Sequence, residues 1–245
     1  MRAAKLYLMS MDQTDSTPPQ AHQPAPDDLT LDEARSALAP HLPMNAAFDG
    51  WTPEAVEMAA GSAGIDPEIA KLAFKGGAMD MIDAWIEWTD AEMARRLPPE
   101  ELDAMKIRDK IRSMIETRLD IAAPDKEALR RAMAVQAMPQ NLPRTARIAW
   151  RSADRMWRMA GDTATDYNHY TRRMTLTAVY GSTLTVFLND DSEDFADTRA
   201  FLSRRIDNVM QFEKAKAQWT GKGAGGSRER LSLSRFIGRL RYPAR

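Results

Sequence analysis

Gly161-Asp162-Thr163-Ala164-Thr165-Asp166-Tyr167-Asn168-His169-Tyr170-Thr171-Arg172-Arg173 separates two segments that each have the length and pattern of a buried helix. Gly161 follows a periodic apolar run and supplies a left-handed helix stop. Asp162, Thr163, Thr165 and Asp166 then offer side-chain oxygens to the free N–H groups of the next helix. Tyr167, His169 and Tyr170 fall in that helix's first turns. Aromatics at such a junction line a pocket mouth, grip a partner or fill a core. The residues by themselves favour the last of these, a well-capped helix start with core tyrosines.

Upstream, Leu142, Ala146, Ala149, Trp150, Ala153, Trp157 and Ala160 predict one face of a regular helix, on which small and large residues alternate so that a helix or an elongated ligand can approach. Downstream, Met174 to Leu188 is apolar or small at nearly every position, with strand-favouring Thr and Val. Its length and acidic caps favour a helix buried on several sides, the central staff of the domain. Asn189-Asp190-Asp191-Ser192 ends it and caps a last long helix to about Trp219, striped by Phe195, Leu202, Ile206, Val209 and Met210.

Towards the N-terminus, Met79, Ile82, Trp85, Ile86, Thr89 and Met93 mark a helix over about 78–96. A second stripe, Ile107, Ile111, Met114 and Ile115, belongs to a helix opened by Glu100-Glu101, and another helix runs from Pro124 to about Met138. Before these, a helix over 31–39 meets Pro40 and Pro43, Thr52-Pro53-Glu54 starts one through Ala60 with Gly61 and Gly64 as its stop, and Asp66-Pro67-Glu68 starts a short third. This is the outline of a helix-turn-helix, and Gly76-Gly77 with the long helix after it extends the likeness to TetR-type repressors. Charge argues against DNA: residues 52–75 sum to −2, where a recognition unit needs positive charge for phosphates.

The chain of 245 residues has no cysteine, which excludes disulfide and thiolate chemistry. Its net charge of −1 hides a segment from Gly221 onward that carries +6 against −7 elsewhere. Within it, Leu233, Phe236, Ile237 and Leu240 form a helical stripe, with Arg235 and Arg239 opposite and Arg230 and Arg241 flanking, behind the Gly-rich run 221–226. Such a basic amphipathic helix suits an anionic membrane interface, a partner protein or a fold-back onto the domain. The Pro-rich residues 11–28 predict disorder. Arg2 and Lys5 precede an apolar patch too short for a secretory core, so the expected location is cytoplasmic, with Met11 an alternative start to Met1.

No cofactor is expected. The three histidines are scattered, and no metal-ligand spacing, phosphate-cradling loop or nucleophile elbow occurs. Asp162 and Asp166 are better helix caps than acids, and His169 has no visible orienting partner. A non-catalytic protein is therefore expected. The methionine-rich helix faces suit either a deformable apolar pocket or an ordinary core, and composition favours the core.

Gly161–Arg173 resembles the signature of the Coq-nine family, accessory proteins of coenzyme Q (ubiquinone) biosynthesis. Phe48-Asp49-Gly50-Trp51-Thr52, Phe74-Lys75-Gly76-Gly77, Lys106-Ile107-Arg108, Asn189-Asp190-Asp191-Ser192 and Phe201-Leu202-Ser203-Arg204-Arg205-Ile206 match further family landmarks in order, over residues 40–217. His169 stands where the family has Trp; Tyr170 matches. The resemblance implies an all-α, TetR-like bundle: disordered residues 1–28, a helix-turn-helix-like part over 29–96, a lipid-binding and dimerisation domain over 97–220, a linker over 221–227 and a membrane-docking helix over 228–245. It implies an isoprenoid quinone intermediate or phospholipid as ligand, a ring hydroxylase of the demethoxyubiquinone type as partner, and a homodimer built from the last two long helices. Nucleic acid is not expected; a TetR-like regulator with a hydrophobic effector is the alternative. The expected lipid contacts are Trp150, Met156, Trp157, Met174, Tyr180, Leu184 and Phe187. Asp166, Tyr167, His169, Tyr170 and Arg173 are expected to meet the partner, and Arg230, Leu233, Arg235, Phe236, Ile237, Arg239 and Leu240 to dock on the inner face of the cytoplasmic membrane.

Overall fold

Helices account for the regular structure of the protein, whose computed structural model describes residues 29–163 and 167–221, with the side chains of 167 and 213–221 outside that description. In chain order they are α1 (Leu31–Leu38), α2 (Leu42–Asp49), α3 (Pro53–Ala63), α4 (Pro67–Ala73), α5 (Ala78–Arg96), α6 (Pro99–Asp103), α7 (Ile107–Ala122), α8 (Lys126–Gln136), α9 (Leu142–Met159), α10 (Tyr167–Phe187) and α11 (Ala196–Gly221). The all-α expectation holds among the described residues. The expected N-terminal disorder, the Gly-rich linker and the 228–245 helix all lie outside the described residues.

A single apolar core runs from α1 through α11, so the N-terminal helices and the later bundle share one interior. α1 packs on α4, α2 on α3 and α8, and α5 on α7 and α9, while α10 lies between α9 and α11. Trp51 stacks on Trp85 at 5.4 Å and donates its indole N–H to the Ala128 carbonyl at 3.1 Å, fastening the α2–α3 corner to α8.

Four sequence expectations are corrected. α1 ends at Leu38 ahead of Pro40 as expected, but Pro43 does not extend the break: it occupies the first turn of α2, where a missing N–H costs nothing. Gly61 lies inside α3, and the expected stop is Gly64 alone, whose φ of +68° is open to glycine. α9 is rotated, turning Ile148, Ser152, Ala153 and Met156 inward and leaving Leu142 and Ala146 exposed. α10 buries one stripe, Arg173, Leu176, Val179, Thr183 and Phe187, while the small residues Thr175, Ala178 and Thr185 are exposed.

Ser152 explains the rotation. Its hydroxyl donates to Asp90 Oδ2 at 2.8 Å, and Asp90 pairs through its other oxygen with Arg118, both side chains being almost fully buried. The Tyr180 ring lies 4.9 Å from the Arg118 guanidinium. Burial opposes the arginine's charge, but Tyr180 and Asp90 more than compensate and hold its pKa above the ordinary value. Four helices thus meet on one ion pair.

Between α10 and α11 the chain turns through Asp194 and Phe195, two consecutive non-glycine residues at φ of +51° and +54°. Phe195 packs edge-on against Phe187 at 4.8 Å. Asp190 holds the turn by accepting from the backbone N–H of Ser192 at 2.9 Å and of Thr198 at 2.8 Å, and from both hydroxyls at 2.5 Å. Burial would raise its pKa, but these four bonds prevail and hold it well below the ordinary 3.8.

Asp90→Ala leaves the Arg118 charge buried and unpaired, and is expected to lower unfolding free energy by about 3–5 kcal/mol in urea denaturation. Asp90→Leu combined with Arg118→Met is expected to recover most of that loss. Asp190→Asn is expected to cost about 1–3 kcal/mol at pH 7. Because the folded pKa is depressed, that stabilisation is present above the ordinary value of 3.8 and lost as pH falls through the folded one, so the gap between wild type and variant closes in acid.

Candidate functional site

α9 ends in a Schellman turn: Gly161, at φ +90°, donates to the Arg158 carbonyl at 3.0 Å, and Asp162 N–H donates to the Trp157 carbonyl at 2.9 Å. The side chain of Asp162 is engaged as well. Its carboxylate, nearly closed to solvent, accepts from Arg172 Nη1 at 2.6 Å and Arg173 Nη1 at 3.0 Å. Arg173 is 2% exposed; its Nε donates to Asp154 at 2.6 Å and its Nη1 to the His169 carbonyl at 3.0 Å. This one guanidinium joins α9, the turn and the start of α10. Arg173, expected to meet a partner, is instead a buried fastener. Lys110 of α7 adds a donor to the Ala160 carbonyl at 3.4 Å.

In front of the fastener lies an aromatic patch. Trp150 sits 5.8 Å from Tyr170 and 6.1 Å from His169, and His169 meets Tyr170 edge-on at 5.1 Å. His169 Nε2 is 3.8 Å from Asp154 Oδ1, an orienting neighbour that sequence did not reveal. Tyr170 is 57% exposed, and Met174, one turn on, is 65% exposed. Leu142 and Ala146 share the α9 face of Trp150 at four-residue steps, so an apolar strip borders the patch. Asp166 and the Tyr167 side chain lie outside the described residues.

α7, α9, α10 and α11 also line a partly open cavity of about 320 Å³. Ile107, Ile111, Leu176, Val179, Ile206 and Val209 give it apolar walls, while Arg108, Trp157, Thr171, Arg172 and Thr175 also line it. Of the seven expected lipid contacts, Trp157 is in this lining. Met156 and Phe187 are buried in the core, Trp150 belongs to the patch, Met174 is on the surface, Tyr180 covers Arg118 and Leu184 packs against the core. The walls were missed because their residues come from helices far apart in sequence, where each stripe reads as ordinary core. The expected docking residues Arg230, Leu233, Arg235, Phe236, Ile237, Arg239 and Leu240 lie outside the described residues. Among the described residues, no helix is long and apolar enough to cross a membrane.

The COQ9 family model matches residues 142–213, which span α9, the junction, α10 and most of α11. The ubiquinone biosynthesis protein COQ9, mitochondrial, of Homo sapiens is 32% identical over 181 residues, covering 71% of this chain and 57% of that protein. The probable ubiquinone biosynthesis protein coq9, mitochondrial, of Dictyostelium discoideum is 26% identical, covering 68% of this chain and 56% of that protein. The chain therefore spans a little over half the length of these relatives. A TetR transcriptional regulator from Nitrosomonas europaea is 20% identical with a TM-score of 0.58, covering 72% of this chain and 98% of that one, a likeness of fold. The expected cytoplasmic location is overturned, since the human and Dictyostelium relatives are both named mitochondrial. A missing secretory core speaks only to export, which is why the N-terminal residues misled.

Arg173→Lys keeps the charge but loses the fork that spans two carboxylates. It is expected to lower stability by about 1–3 kcal/mol in denaturant and to speed amide exchange at Gly161 and Asp162.

Proposed function

The chain carries a COQ9-family domain, and from that premise we propose that it is a non-catalytic accessory protein of ubiquinone biosynthesis that binds an isoprenoid quinone intermediate and presents it to a ring hydroxylase. One observation carries the reading. Neighbouring residues at the start of α10 serve both surfaces: half-buried His169 and exposed Tyr170 form the patch, while Thr171, Arg172 and Thr175 line the cavity. A head group at that mouth lies within about one helical turn of any protein that grips the patch.

Cavity size limits what is held. At about 320 Å³ it lies near the bottom of the ~300–1,000 Å³ usual for small-molecule sites. It accommodates a ring or the first isoprene units, and the remainder of a long polyprenyl chain stays in the bilayer. Each methylene that does enter contributes about 0.8 kcal/mol. The basic amphipathic residues 228–245 are the proposed membrane anchor. The exposed small residues of α10, with Met210 at 41% and Phe212 at 67% exposure on α11, suit a second copy of the chain. DNA is not the proposed partner, since Lys71, one of two lysines in the helix-turn-helix-like region, is engaged by Glu57 at 3.0 Å and Glu68 at 2.9 Å.

Organic extraction of the purified full chain, followed by mass analysis, is expected to release an isoprenoid or phospholipid near one per chain; a folded but empty protein counts against the reading. Liposome co-sedimentation should fall when the chain ends at Trp219. In cells dependent on this protein, Tyr170→Ala is expected to reduce quinone synthesis several-fold while the unfolding midpoint moves by no more than the ~0.5 kcal/mol of a surface change.

A further inference from the structure

We infer that the cavity bounded by α7, α9, α10 and α11 selects a single-chain amphiphile with an anionic head, a phosphate or carboxylate held by Arg108 and Arg172; this rests on the proposed isoprenoid occupancy of the same cavity. Both arginines line the cavity and are only partly exposed, at 39% and 45% of their side chains, which suits its mouth rather than its floor. Each is oriented by one carboxylate through one terminal nitrogen: Arg108 Nη2 by Asp207 at 2.6 Å, and Arg172 Nη1 by Asp162 at 2.6 Å. A guanidinium has five N–H donors, so a single-nitrogen contact fixes its plane and leaves donors for a second acceptor.

Two further features point to an anion. Arg108 Nε is shut off from solvent and has no hydrogen-bond partner. A buried donor in that condition is costly, and an acceptor entering the cavity would relieve it. On the other side, among the described residues, Asp162 and Asp154 face three guanidiniums, those of Arg158, Arg172 and Arg173, one more cation than anions. The Arg172 guanidinium lies 5.6 Å from the Trp157 ring, and Trp157 Nε1 donates to the Arg172 carbonyl at 3.1 Å, which makes wall and cation one unit. Apart from the cations, Trp157, Thr171 and Thr175, the lining is aliphatic, and a volume of about 320 Å³ suits one chain better than two.

Three probes test this on the full chain by calorimetric titration: farnesyl monophosphate, farnesol and inorganic phosphate. Farnesyl monophosphate is expected to bind at least about tenfold more tightly than farnesol, the scale of one charged hydrogen bond, with inorganic phosphate far weaker than either. Arg108→Gln should bring the two isoprenoid affinities together. Asp207→Asn, which removes the competing carboxylate and needs no lost fold to act, should tighten farnesyl monophosphate and leave the farnesol affinity where it was. Equal affinities for farnesol and its phosphate in the wild-type chain would overturn the anionic-head inference and leave isoprenoid binding standing. Inorganic phosphate as tight as farnesyl monophosphate would overturn it in favour of a plain anion site. Failure of both isoprenoids to bind would remove it together with the lipid reading on which it rests.

Discussion

Arg173 is a positive charge taken out of water, and such a charge is tolerated only where fixed acceptors replace the solvent. Asp154, Asp162 and the His169 carbonyl are those acceptors, one from each piece of chain that meets at the junction. The consequence runs outward in two directions. Holding Asp162 inward draws Arg172 across the Trp157 ring and shapes the cavity wall. Holding the first turn of α10 sets His169 and Tyr170 against Trp150. Patch and cavity are thus two faces of the same ion-pair arrangement.

The Asp90–Arg118 pair does for the bundle what Arg173 does for the junction. Apolar faces slide with little penalty, because one methyl contact resembles the next, whereas a buried pair is satisfied in one register only. Ser152 and Tyr180 extend that requirement to α9 and α10. The walls of the cavity belong to helices whose register is fixed in this way or by the Asp190 cap.

Much of the fold was legible because its signals are local. The Gly161 stop, the extents of α5 and α9 and the capped start of the last helix each rest on residues within a turn or two of one another. α2 was missed because proline marks both the break and the first turn of a helix, and only the folded chain distinguishes them. The facing of α9 was misread because Ser152 counts as polar until Asp90, 62 residues away, is placed beside it. The site divides the same way. Two members of its aromatic patch, His169 and Tyr170, were legible in one stretch, while Trp150 joins them from α9; the cavity draws on four helices and no periodicity within one of them links Ile107 to Leu176 or Ile206.

The corner at Asp194 and Phe195 has a mechanical consequence. Two successive residues in the left-handed region each resist that conformation by about 1–2 kcal/mol, so the corner forms only while Phe187 and the Asp190 cap hold it. α11 therefore enters the bundle as a rigid lever on a stiff pivot, and Ile206 and Val209 reach the cavity at a distance set about three turns away.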